Sequence, residues 1–286
     1  MATRTWNPVG NTGAFATAGN WVEGVAPVGG DDLDFRLGTA DLVTGTDQSA
    51  VNFGKVHIYS GFTGRLGNST ADPFLFGCAS CVIDGGGSNV LYIGSGAAPG
   101  NDIEKLQIKG AGPNRAAPIN VCAGTVVNMV MEAGNVNLIA GTITRLVAKA
   151  VAGSGYANII NTAATITLLE MLNGYVQQIS TGTITEARQV GGFLKVDAGT
   201  MVTLRMLGAA AKCEWNSTTA AITTLQGIGG MFDMGKSIAA RTITNSEFHN
   251  GFMFDDPNNV AVFTNDYVRY GGTINRSTPP SESYVP

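Results

Sequence analysis

The chain has 286 residues, and its 17 Lys and Arg against 21 Asp and Glu leave a formal net charge of −4. The basic residues are scattered rather than clustered, which argues against a nucleic-acid partner, and no apolar run is long enough to span a bilayer, which argues against a membrane partner. Only 13% of residues are charged, 39 are glycine, and Thr, Ala, Val, Ile and Asn are abundant, a composition suited to short strands and tight turns rather than helices.

In chain order, residues 1–60 come first and read as an N-terminal cap or attachment region. They open without the apolar stretch of a secretory signal, so synthesis in a host cytoplasm is expected. They carry Trp6-Asn7-Pro8, Gly19-Asn20-Trp21, Ala26-Pro27 and Gly29-Gly30-Asp31-Asp32 ahead of an alternating run at Leu33-Asp34-Phe35. Aromatics and prolines here suit a plug over the first open edge of a strand stack, which would otherwise recruit other strands. This Asn-Trp, Pro and Gly-Asp opening, followed by Gly- and Thr-rich segments, resembles the β-solenoid structural proteins of phage virions and some bacterial surface passengers. The resemblance implies a virion location and a partner such as the major capsid protein.

Residues 61–256 are predicted to form solenoid coils. Gly61-Phe62-Thr63-Gly64, Val90-Leu91-Tyr92-Ile93 and Ile103 to Ile108 mark irregular early coils. From residue 125 a repeat takes over: a Thr-flanked apolar anchor, then Gly and a large apolar residue at a fixed distance. It reads Thr165-Ile166-Thr167 to Gly174-Tyr175, Thr183-Ile184-Thr185 to Gly192-Phe193, Ala221-Ile222-Thr223 to Gly230-Met231, and Thr242-Ile243-Thr244 to Gly251-Phe252. Looser copies place anchors at Val126, at Ile143 with Gly153 and Gly155, and at Val202. Such a period is that of a right-handed parallel β-solenoid, in which stacked coils bury together a face that no single coil can bury alone. Residues 257–286 are predicted as C-terminal strands and an extended arm, Ser277-Thr278-Pro279-Pro280-Ser281-Glu282-Ser283.

Alternation after the repeat glycine turns Leu194 and Val196 inward. Aligning the coils then puts Tyr175, Phe193, Ala210, Met231 and Phe252 in one outward column, and the apolar members Tyr175, Phe193, Met231 and Phe252 are the interface candidates. Such a stripe predicts self-association, as a homotrimer of parallel solenoids.

Motifs for chemistry are thin. Gly230 to Ser237 matches the phosphate-cradling pattern Gly-x4-Gly-Lys-Ser, but runs straight into the next repeat instead of a helix. Cys78 and Cys81 have metal spacing without a second pair, and Cys122, Cys213, His57 and His249 are isolated in sequence. Asp197 and Glu214 are the best-placed carboxylates and read as a solvated face with Lys195 and Lys212. The sequence therefore offers no catalytic, cofactor or metal residue. It reads as a structural virion protein, a decoration or cement protein on the outside of a phage head, with a receptor-binding or glycan-degrading tail fibre or tailspike domain as the alternative.

Overall fold

The computed structural model describes residues 1–7, 9–85, 90–96, 100–110, 119–150, 157–217, 221–265, 267–277 and 282–284. Pro8, Gly153, Gly155 and residues 278–281 of the expected arm lie outside the described residues. The fold is a parallel β-solenoid: strands pair in parallel with strands one coil away, and among the described residues the one helical element is a 3-10 turn at Ala18–Asn20. The chain divides into two compact units, Met1–Leu146 with Ala150–Ile159, and Val147–Lys149 with Ile160–Pro286.

Both units use one inward rule. Counting the anchor as zero, side chains three and five residues later also face the core. In the first unit these columns are Phe53, Cys78, Ile103 and Val126, then Val56, Cys81, Leu106 and Met129, then Ile58, Ile83, Ile108 and Met131, each at most 2% exposed. The two residues after each anchor both lean outward, as Glu104 and Lys105 do, so the strand bends there before alternation resumes. Solvated residues at that bend and buried ones at the other three positions let a short, weakly charged sequence fill a continuous core.

The open start of the first unit is plugged by aromatics. Trp6 packs edge-on against Trp21 at 4.9 Å, Phe15 meets Trp21, Phe53 and Phe74, and Phe35 meets Phe62. Each buried indole N–H finds an acceptor, Trp6 on the Ala40 carbonyl and Trp21 on the Phe15 carbonyl. Buried Asn20 ties the loop by hydrogen bonds with Thr12 and the Ala14 carbonyl, and Asp31 accepts from the Ala2 N–H and the Arg4 guanidinium. Asn20, Trp21 and Asp31 of the resembling opening are thus among the residues that hold this plug together. The parallel ladder runs from Asp32–Phe35 through Asp47–Ile58 to Phe74–Ile83 without a break at residue 60.

In the second unit the repeat glycines serve one purpose. Gly174, Gly192, Gly230 and Gly251 turn the corner between the two faces of the coil with φ of +97°, +78°, +84° and +89°, a conformation that favours glycine. Two details differ from the sequence reading. The coil over Thr200–Trp215 faces Met201 inward, paired with Ile184 and Ile222, and leaves Val202 half-buried. It also carries a register shift at its corner, so Lys212, not Ala210, stands beside Phe193.

Beyond Pro257 the ladder continues. Tyr267–Tyr270 pairs with Arg241–His249, Thr273–Asn275 with Phe252–Asp255, and Glu282–Tyr284 with Tyr267–Tyr270. The C-terminal segment is thus built of further rungs, and the described end of the expected arm is a hydrogen-bonded strand. Phe248, Phe254, Phe263 and Tyr267 fill this end of the unit at centroid distances of 5.3 to 6.4 Å, and Arg276 pairs with the fully buried Asp256.

Candidate functional site

The outward side chains of the second unit stack in columns because every rung repeats the same register. The residue after the third inward position gives Leu172, Val190, Leu207 and Ile228 in four successive coils, following the paired series Met171, Gln189, Met206 and Gly227. His249 and Tyr270, paired with each other, extend the column to six coils, roughly 24 Å at a strand spacing of ~4.8 Å. Its apolar members are 37% to 48% exposed. A run of large exposed apolar side chains in consecutive rungs is uncommon on a protein that stays alone in water. The sequence reading missed it, although its signal was legible as an apolar residue six positions after each of the anchors Ile166, Ile184, Met201 and Ile222.

The expected interface column is placed differently. Tyr175, Phe193 and Met231 do face outward in one ladder, completed by Lys212 and Met253. They are only half exposed, because they cover one another: Tyr175 and Phe193 lie 5.6 Å apart and the Lys212 ammonium rests 5.5 Å over the Phe193 ring. Phe252 does not belong to the column. It pairs with Gly230, is 2% exposed, and stacks on Phe248 at 5.1 Å. The corner at Asn250 and Gly251 holds one residue more than the coil before it, and a one-residue slip moves a side chain to the opposite face of the sheet. Room for the ring is made by Gly227, where a β-carbon would run into Phe252.

Next to this ladder runs a polar one. Glu214 stands opposite Lys195, and Asp197 lies two residues beyond Lys195 on the same face. Asp197 accepts from Gln177 at 2.6 Å and Asn216 at 3.1 Å and pairs with Lys195 at 3.0 Å, while Glu214 accepts from Asn216 at 2.7 Å and Lys236 at 3.1 Å. Burial pushes both carboxyls up, but these hydrogen bonds and the lysine charges outweigh it and hold both below the usual carboxylate range. Two carboxylates so fixed as anions suit a cross-rung clamp and not a general acid. Lys236 of the phosphate-loop pattern is one of the clamping ammoniums. The strand Gly230–Asp233 leads through a turn into the strand Arg241–His249, so the helix that would complete a phosphate cradle is missing there.

Two other clusters collect chemistry. On the other sheet of outward residues, Arg205, Gln226 and Glu247 occupy one register column beside Thr224 and Asn245, and with Val268 and Tyr270 they line a groove of about 370 Å³. The groove groups bond to one another: Arg205 donates to Gln226, Gln226 to Glu247, and Glu247 meets His249 at 2.7 Å. In the first unit His57 Nε2 lies 2.5 Å from Asp84 and its ring stacks on Tyr59 at 3.6 Å. Its Nδ1 is buried without a hydrogen-bond partner, so this pair lacks the hydroxyl or thiol that a catalytic histidine activates.

All four cysteines are free and buried. Burial pushes the Cys78 thiol up to about 12 and Cys122 up to about 11, and raises Cys81 and Cys213 as well. Thiols held protonated in this way are packing groups, not nucleophiles. Among the described residues no three His, Cys, Asp or Glu side chains converge on a point that could hold a metal ion. Compared with known proteins, the chain matches no family model, no curated protein and no solved structure.

Proposed function

We propose that this chain is a non-catalytic structural component of a phage particle, a decoration or cement protein bound to the outside of the head. It assembles with its own copies, as a closed homotrimer of parallel solenoids, and with the major capsid protein. The observation that carries the self-association is the exposed column Leu172, Val190, Leu207 and Ile228, continued through His249 to Tyr270, which offers an apolar stripe along a parallel sheet. Placement on a virion made in a host cytoplasm rests on the resemblance of the N-terminal plug. Isolation of the particles and quantitative mass spectrometry test it: hundreds of copies per particle support decoration, and absence from the particle rejects a virion role.

A second reading is a receptor-binding or glycan-degrading tail fibre or tailspike domain. The polar groove beside Tyr270 favours it, because amide, carboxylate and guanidinium groups flanking an aromatic ring are suited to sugar hydroxyls and ring faces. A handful of copies per particle would select this reading over decoration.

A further inference from the structure

The sequence contains two Asn-Gly pairs, Asn173-Gly174 and Asn250-Gly251, and both turn the corner that follows the apolar column. Their side chains are held differently. At the first, the Gly174 N–H donates to the Oδ1 of Asn173 itself at 2.8 Å, so the exposed side chain is curled back over its own C-terminal peptide. Once that nitrogen loses its proton, the freed lone pair points along the former N–H direction, toward the Oδ1 of the Asn173 amide, one bond away from Cγ. Glycine at 174 leaves the approach open, having no β-carbon. At the second pair, the Asn250 side chain is turned instead against Gly271 of the next coil, where a β-carbon would collide with its Oδ1 and Cγ.

We infer that Asn173 is a self-modification site at which the folded chain promotes its own deamidation. Hydroxide removes the Gly174 amide proton and the nitrogen attacks Cγ of Asn173. The N–Cγ bond forms, and the side-chain nitrogen leaves as ammonia after taking a proton from water. Water then opens the resulting five-membered imide at one carbonyl or the other, giving aspartate or isoaspartate. Either product places a carboxylate between Leu172 of the exposed column and Tyr175 of the neighbouring ladder, and isoaspartate also lengthens the main chain by one methylene at the corner. Resting on the self-association proposed above, this makes the site a clock: copies that remain unassembled gain a charge on the face they need.

The test is peptide mapping of the full-length protein aged in mildly alkaline buffer, native and in denaturant, with fragmentation that separates aspartate from isoaspartate. Native Asn173 is expected to convert at least about tenfold faster than native Asn250, the advantage of a side chain already folded over its own peptide nitrogen over one turned toward the next coil. In denaturant, where the geometry is lost, the two sites should converge. Equal native rates, or a native Asn173 slower than the denatured one, would overturn the assignment. Asn173→Gln removes the reaction at that position and serves as the aged control for association. If the parent deamidates and still associates as the aged Asn173→Gln protein does, the modification site stands and the clock role fails.

Discussion

Two neighbouring columns of the second unit, built from the same class of residue, meet water differently. Tyr175, Phe193, Met231 and Met253 share their ladder with Lys212, whose ammonium rests over the Phe193 ring, while Tyr175 packs on Phe193 and its hydroxyl donates to Gln177. Leu172, Val190, Leu207 and Ile228 are followed by a tight corner that carries glycine or asparagine, so nothing on that side reaches back to cover them. An outward apolar side chain is thus exposed or covered according to the reach of its neighbours, and not by its own hydrophobicity. The candidate contact surface lies around the corner from where alternation alone places it.

The sharpest way to break this comparison is at the position that changed sides. Phe252→Ser removes a ring packed between Gly227 and Phe248 and should cost about 3 to 5 kcal/mol, whereas Phe193→Ser, on the covered outward ladder, should cost about 1 kcal/mol. Urea unfolding of the two single variants measures both. Equal losses would mean that the two residues share a face and that the extra corner residue is not there.

Much of this was legible beforehand, and the reason is periodicity. Anchors such as Ile166, Ile184, Ile222 and Ile243 recur because every rung must present an apolar group at the same height, and the repeat glycines recur because the corner needs a positive φ. The misplacements arise where one coil differs in length. Phe252 moved inward through one added corner residue, and Met201 took the place assigned to Val202 because the coil from Ile184 to Met201 is one residue shorter than that from Ile166 to Ile184. Neither event changes composition or pattern in a window short enough to read. The aromatic plug at Trp6 and Trp21 was legible as a cap, but the roles of Asn20 and Asp31 as ties were not, since each depends on partners brought close only by folding.

A smaller effect, on assembly and not on folding, should follow from the exposed column. Val190→Ser with Ile228→Ser replaces two side chains that already touch water, so stability should change by less than about 1 kcal/mol. Light scattering should nevertheless show a shift from oligomer to monomer, because the two positions lie within a stripe that only association can bury. The paired control is Tyr175→Ser on the covered ladder, which should leave the oligomer intact. If the control dissociates and the double variant does not, the contact runs along the ladder first expected from the sequence. If neither changes the oligomeric state, the apolar column is not an interface between copies.

The smallest effect concerns the polar ladder that runs beside the covered one. Asp197 and Glu214 are held below the usual carboxylate range in the folded chain, so they bind fewer protons than they do unfolded at the same acidic pH. Their contribution is therefore fully present above the unfolded pKa, about 4, and is lost as the pH falls through the lower folded value. Asp197→Asn removes the anion that Gln177, Lys195 and Asn216 share and should cost about 1 kcal/mol at neutral pH. Because the variant has no carboxylate to titrate there, its stability should decline less on acidification, and the two curves of melting temperature against pH should converge below pH of about 4. Parallel curves would show that Asp197 is spectator to the stability of the ladder. The half-buried state of Tyr175 and Phe193 rests on their contact with each other and with Lys212, and it should be the same in either outcome.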